Sequence, residues 1–180
     1  MVVHVKTELN QFRVSRTDNN SPIILIGKKG IDYVLVDTIA ATTNHVAIGD
    51  LIVWSTFPTE IEYCAATNHV VGIVPDTAEN WASLAVNNPG VALTKELLFD
   101  ATETIQIAIP IKPIVVAAKV TATTAITAGE AVMAGATGSI DPQDESSPTC
   151  GVAVFGNTSN TGTDSGAIIL CPAYGLSTKT

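Results

Sequence analysis

The feature that most restricts what this chain can become is an internal repeat. Residues 33–74 align with residues 113–154 at an offset of 80 that slips to 79. Val34-Leu35-Val36 falls on Ile114-Val115-Val116, and Val46-Ala47-Ile48-Gly49-Asp50 falls on Ile126-Thr127-Ala128-Gly129-Glu130. Farther on, Val71-Gly72-Ile73-Val74 matches Cys150-Gly151-Val152-Ala153, and each unit closes with a strand ending in proline, at 105–110 and 167–172. Within a unit, Gly49 or Gly129 supplies the positive φ of a tight turn. The acid that follows, Asp50 or Glu130, is expected to stay in solvent, and an apolar strand begins after it. A unit this short has too few strands to bury a core well, so two of them are expected to pack together and share one.

The rest of the chain reads the same way. Short β-branched stretches punctuated by Gly, Asn, Pro and Asp lie at about 22–27, 32–38, 50–54, 69–74, 104–109, 113–120, 131–134, 151–155 and 167–171. One segment departs from this pattern. Asp76-Thr77-Ala78-Glu79 has the form of a capping box, Trp81, Leu84 and Ala85 follow at helical spacing, and Asn87-Asn88-Pro89-Gly90 stops the run. A short helix is predicted there, and a second helical turn at 94–99. The expected fold is all-β: two related small β-barrel or β-clip-like modules with a short helical insertion at about 76–100. The expected organisation is an N-terminal arm with first strands at 1–30, a first module at 31–110 and a second at 111–180.

Charge and hydropathy narrow the function classes. The chain of 180 residues is 46% hydrophobic and 14% charged, which excludes intrinsic disorder, a state that needs low hydrophobicity and high charge density. Its apolar runs of four to six residues, such as 23–26 and 114–118, fall far short of the roughly 20 needed for a membrane-spanning helix. A soluble protein is expected, with no membrane partner. Lys6 and Glu8 interrupt the N-terminus where a signal peptide would be apolar, so synthesis in the cytoplasm without export is expected. The net charge of −8 is uneven. Residues 1–30 hold five basic and two acidic residues, whereas residues 31–180 hold 4 basic and 15 acidic ones. An acidic body repels phosphate backbones, and five scattered cations fall short of a nucleic-acid footprint, so no direct nucleic-acid binding is expected.

Candidate chemistry is sparse. His45 and His69 sit in a repeated Thr-Asn-His-Val tetrapeptide and could meet over Cys64 to hold zinc, but Asn-His before a strand is ordinary turn chemistry, and neither they nor His4 form a short metal-ligand spacing. Cys64, Cys150 and Cys171 are odd in number and lie among apolar residues, as buried reduced thiols do. Gly27-Lys28-Lys29-Gly30 lacks the Walker spacing and a following helix, and reads as a hairpin turn with two solvated lysines. The run Asp141-Pro142-Gln143-Asp144-Glu145 lacks the order of a calcium loop and reads as an exposed acidic loop. There is no Gly-x-Ser-x-Gly elbow. No catalytic, cofactor-binding or metal-binding residue is assigned, and the chain is expected not to be an enzyme.

The segment from Val120 through the Ala128-Gly129-Glu130 turn to Ile140, followed by Cys150-Gly151-Val152-Ala153-Val154 and residues 167–172, resembles head-decoration (cement) proteins of tailed double-stranded DNA phages. Those proteins run as an apolar strand, an Ala-Gly-acid turn, a strand, a Gly-containing hairpin, a Val-Gly-Val/Ile-Ala strand and a closing strand. The pattern covers residues 113–172, and the first copy at 33–76 less closely; the duplication and the insertion depart from single-module members. The resemblance implies a homotrimer in the virion that binds the outer surface of the assembled capsid. Its partner would be the major capsid protein, whose shell it would stabilise. Lys6, Arg13, Arg16, Lys28 and Lys29 would form a capsid-docking arm that adds a strand to a capsid edge or a neighbouring subunit; the same residues read equally as the first strands of the domain. The alternatives are another virion assembly subunit (tail, fibre or capsid-forming), or a small β-fold enzyme or sugar-binding module using Trp54, Trp81 or Tyr63 as a platform.

Overall fold

The computed structural model describes residues 25–65, 68–94, 96–120, 125–154 and 165–172. Eleven strands and one α-helix follow in the order β1 (Leu25–Ile26), β2 (Tyr33–Ala40), β3 (Leu51–Thr56), β4 (Glu60–Tyr63), β5 (Gly72–Ile73), α1 (Ala78–Asn87), β6 (Thr104–Pro110), β7 (Ile114–Lys119), β8 (Ala131–Ala134), β9 (Ile140–Pro142), β10 (Thr149–Ala153) and β11 (Ser165–Leu170). A single turn of 3₁₀ helix, Ala136–Gly138, sits between β8 and β9. The fold is all-β in two sheets. The first closes as a barrel in the order β2-β4-β3-β5-β6, and the second runs β1-β7-β11-β10-β8-β9.

The two sheets carry the same hydrogen-bond register. In the β3–β4 hairpin Ile52 pairs with Tyr63, Val53 with Glu62 and Trp54 with Ile61; in β8–β9 the pairs are Val132 with Pro142, Met133 with Asp141 and Ala134 with Ile140. Leu51–Ile73 and Ile52–Gly72 recur as Ala131–Val152 and Val132–Gly151. Leu35–Ala108 recurs as Val115–Ile169. The parallel contact of Ala40 with Ile61 that closes the first barrel recurs as a parallel bridge from Val120 to Ile140. The slip from 80 to 79 falls inside the hairpins, where residues 55–60 of the first copy correspond to 135–139 of the second. In this register Pro110 matches Cys171, one residue short of Pro172. Both copies also require glycine at the same place: a Cβ on Gly72 would lie 2.3 Å from the Ala108 carbonyl oxygen, and one on Gly151 would lie 2.2 Å from that of Ile169.

Alternation builds each core. Along β7, Ile114, Val116 and Ala118 point inward while Val115, Ala117 and Lys119 are partly exposed. The interior of the first copy gathers Ile52, Ile61, Val74, Ile105 and Ile107 with Trp81, Leu84 and Phe99 of the insertion. The interior of the second gathers Val116, Val132, Ile140, Cys150 and Ile168. That second cluster also contains Tyr33, Leu51, Ile73 and Ala108 of the first copy, so the outward face of one copy is packed against the inside of the other.

Several elements differ from the sequence expectation. The helix is capped by Thr77, whose hydroxyl accepts the Asn80 N–H, and not by Asp76, which instead accepts the Trp81 indole N–H. Buried Asn80 then fixes the helix to β6: its amide donates to the Gln106 and Pro75 carbonyls, each at 2.8 Å, and accepts the Gln106 N–H at 2.8 Å. The second helical turn expected at 94–99 does not extend into a helix among the described residues. The chain there makes one turn, from Leu97 N–H to the Thr94 carbonyl, and then runs extended, because Leu98 bridges Ala47 and Phe99 N–H bonds to the Val46 carbonyl. Burial of Phe99 in the first core outweighs the local helical pattern. Strands β4 and β9 were not predicted: charge at Glu60 and Glu62 masks the first, and Asp141-Pro142 masks the second. Strand β1 joins the second sheet, pairing Leu25 with Val116 and Ile26 with Val115.

Candidate functional site

The two Gly-acid turns have the same geometry and opposite surroundings. Gly49 and Gly129 both take positive φ, 93° and 84°. Gly49 N–H donates to Val74 O and Gly129 N–H to Ala153 O, each at 2.8 Å, and the acid's side chain folds back onto the N–H three residues before it. Asp50 accepts from Ala47 at 2.7 Å, and Glu130 from Thr127 at 2.8 Å. The turn therefore needs an acid for a local reason, a carboxylate capping a backbone donor. The expectation that the acid stays in solvent fails for Asp50, which is 3% exposed. Glu130 is partly exposed, and Gly129 has open space where a Cβ would be.

Asp50 is buried because the second copy lies over it. Lys119, at the end of β7, places its ammonium 2.6 Å from the Asp50 carboxylate, and Glu96 of the insertion lies 3.9 Å from the same ammonium. The 135–139 hairpin packs alongside: Gly138, at φ 75°, donates its N–H to the Cys64 carbonyl at 3.0 Å, and a Cβ there would lie 2.7 Å from Asp50 Cβ. Burial pushes the Asp50 carboxyl above the ordinary carboxylate range, against the opposing pull of Lys119 and the Ala47 N–H. Around this pair a cleft of about 400 Å³ opens, lined among others by Asn44, His45, Tyr63, Glu96, Leu98 and Thr137. His45 Nδ1 lies 3.0 Å from the Phe99 carbonyl, and Asn44 donates to Glu62 at 2.8 Å. Asp50, Lys119 and Glu96 thus join the two copies and the insertion, and His45 ties the first copy to the insertion, while Asn44 bonds within the first copy.

The other sequence candidates are scattered. Lys28 and Lys29 sit exposed on the turn before β2, where Gly30 has φ 81° and Lys28 N–H bonds to Asp32. Lys6, Arg13, Arg16 and His4 lie outside the described residues. His45 is half-buried and His69 exposed, and among the described residues no group of three His, Cys, Asp or Glu side chains is placed to hold a metal. Cys64 and Cys150 are buried free thiols, Cys150 pushed up to about 12 by burial, while Cys171 is half-buried. Asp144 accepts the N–H groups of Ser146 and Ser147, which hold its carboxyl below the ordinary value. The three aromatics do not form a platform: Trp81 is core, Trp54 and Tyr63 pack against the first core, and the exposed ring is Phe57, edge-on to Trp54 at a centroid distance of 5.5 Å. Lys119 was not singled out from the sequence. Its signal was a break in the repeat, a lysine standing where the first copy has Ile39.

No protein-family model matches the chain, and no curated protein matches it. Three chains of solved structure do. One is the crystal structure of the head fiber gp8.5 N base in bacteriophage phi29, with a TM-score of 0.47 and 17% identity, covering 77% of this chain and 93% of that one.

Proposed function

We propose that this chain is a virion structural protein that binds the outer surface of an assembled phage capsid and stabilises it, as a homo-oligomer with the major capsid protein as partner. The observation that carries the reading is the module itself. The apolar strand, Gly-acid turn, hairpin and Cys150-Gly151-Val152-Ala153 strand that resemble head-decoration proteins form one hydrogen-bonded unit built twice, in matching register. The first copy also presents Phe57 outward, between β3 and β4, as a surface-binding protein requires. The reading assigns no catalytic role. A decoration protein gains affinity from many contacts repeated on a lattice and should bind isolated capsid subunits weakly. Co-sedimentation with expanded, undecorated capsids, compared with isolated capsid subunits, tests it. Saturable binding to shells alone is expected; equal binding to both, or to neither, defeats it.

A further inference from the structure

Because the barrel and the second sheet repeat one register, each surface of one can be compared with the same surface of the other. Leu51, Ile73 and Ala108 on the outward face of the first copy belong to the shared core cluster, with Ile73 and Ala108 0% exposed. Their counterparts in the second copy are Ala131, Val152 and Ile169, with Val152 37% and Ile169 36% exposed. With Val115 these residues form one row across the sheet, since Val115 pairs with Ile169, Ile169 with Val152 and Val152 with Ala131. Among the described residues, a face that serves as an interface in the first copy is therefore partly exposed in the second. The row also has charged ends of opposite sign. Beyond β1, whose Ile26 pairs with Val115, come the exposed Lys28 and Lys29; at the β8 end Glu130 directly precedes Ala131, and exposed Asp144 follows β9.

We infer that this face is where a second copy of the same chain docks, with the basic edge of one copy on the acidic edge of the other and the apolar rows covered between them. Two observations select a second copy as the occupant. The face is self-complementary in charge, lysines at one edge and carboxylates at the other. The contact already made inside the chain shows the chemistry, an acid of this same turn paired with a lysine beside a covered apolar face. Glu130, which among the described residues bonds to the Thr127 N–H and to no cation, would meet Lys28 or Lys29 of the neighbouring copy as Asp50 meets Lys119. The inference does not rest on capsid binding and can fail or hold without it.

Sedimentation equilibrium of the full chain, in low and high salt, gives the test. The wild type should self-associate, more weakly in high salt because the edge charges are exposed. The variant Lys28→Glu/Lys29→Glu should raise the self-dissociation constant about tenfold or more, equivalent to about 1.4 kcal/mol. Adding Glu130→Lys to that variant should recover most of the loss, and Val152→Asp should give monomer. The lysine changes lie on an exposed turn, so they decide the matter even if Val152→Asp fails to fold. A wild type that stays monomeric at roughly 100 μM, a concentration at which even a weak contact of about 5.5 kcal/mol would show, overturns the inference. An oligomer indifferent to the lysine changes and to Val152→Asp does so equally.

Discussion

Replacing Lys119 by Met probes the junction of the two copies directly. The methionine keeps the apolar stem of the lysine and removes the ammonium that sits 2.6 Å from Asp50. Among the described residues Asp50 then keeps only the Ala47 N–H as a partner, in a site where its side chain is 4% exposed. Breaking a fully buried pair by removing one member costs roughly 3–5 kcal/mol. The Lys119 side chain is itself 23% exposed, so solvent screening lowers the expected cost to about 2–3 kcal/mol near neutral pH. The pH dependence has a definite sign. Asp50's folded pKa is raised by burial, and loss of Lys119 raises it further, so between the unfolded value of about 3.9 and the folded value the native state binds more protons than the unfolded chain. Stability of the variant therefore falls as pH rises through that window, and the deficit relative to wild type should be larger at pH 8 than at pH 5. The double variant Asp50→Asn/Lys119→Met retains a side-chain oxygen for Ala47 and has no buried charge. It should regain most of the lost stability and lack the Asp50-linked pH dependence, so its stability relative to wild type should rise with pH over the same window. Urea unfolding of the three proteins at the two pH values measures all of this. If Lys119→Met matches wild type within about 0.5 kcal/mol at pH 8, the typical size of a surface substitution, the buried pair does not hold the copies together.

Two glycines give a second test. Gly129→Ala meets open space and should cost only the left-handed backbone penalty of about 1–2 kcal/mol, whereas Gly138→Ala adds a contact at 2.7 Å to Asp50 Cβ and should cost about 1–3 kcal/mol more; equal thermal shifts would contradict the placement of the 135–139 hairpin. Asn80→Ala removes the bonds to Pro75 and Gln106 that fix α1 to β6 and should cost roughly 2–4 kcal/mol, with faster hydrogen exchange at the Gln106 amide; unchanged exchange there would mean that Asn80 does not position the helix.

The two-module all-β fold was legible because a repeat is a statement about the whole chain, and glycines at 49 and 129 and at 72 and 151 mark turns and close backbone approaches that other residues cannot make. The helix was legible for local reasons, with Thr77 at its cap and Trp81 and Leu84 on one face. The junction was hidden because it is not periodic. Asp50 and Glu130 occupy the same place in the repeat, and nothing along the sequence says that one will be covered by Lys119 and the other left at the surface. The covered face of the first copy is likewise apolar in the same alternation as the open face of the second, so the pattern alone does not distinguish an internal interface from an external one. Segment 94–99 shows the opposite failure, local helical spacing defeated by the pull of Phe99 and Leu98 onto the first barrel.

The capsid reading is tested most directly by cryo-electron microscopy of expanded, undecorated shells of the proposed capsid partner, imaged with and without the purified protein. Additional density on the outer surface, repeated at symmetry-related positions and large enough for the two-module chain, is the predicted result. Shells that remain bare at saturating protein would contradict it.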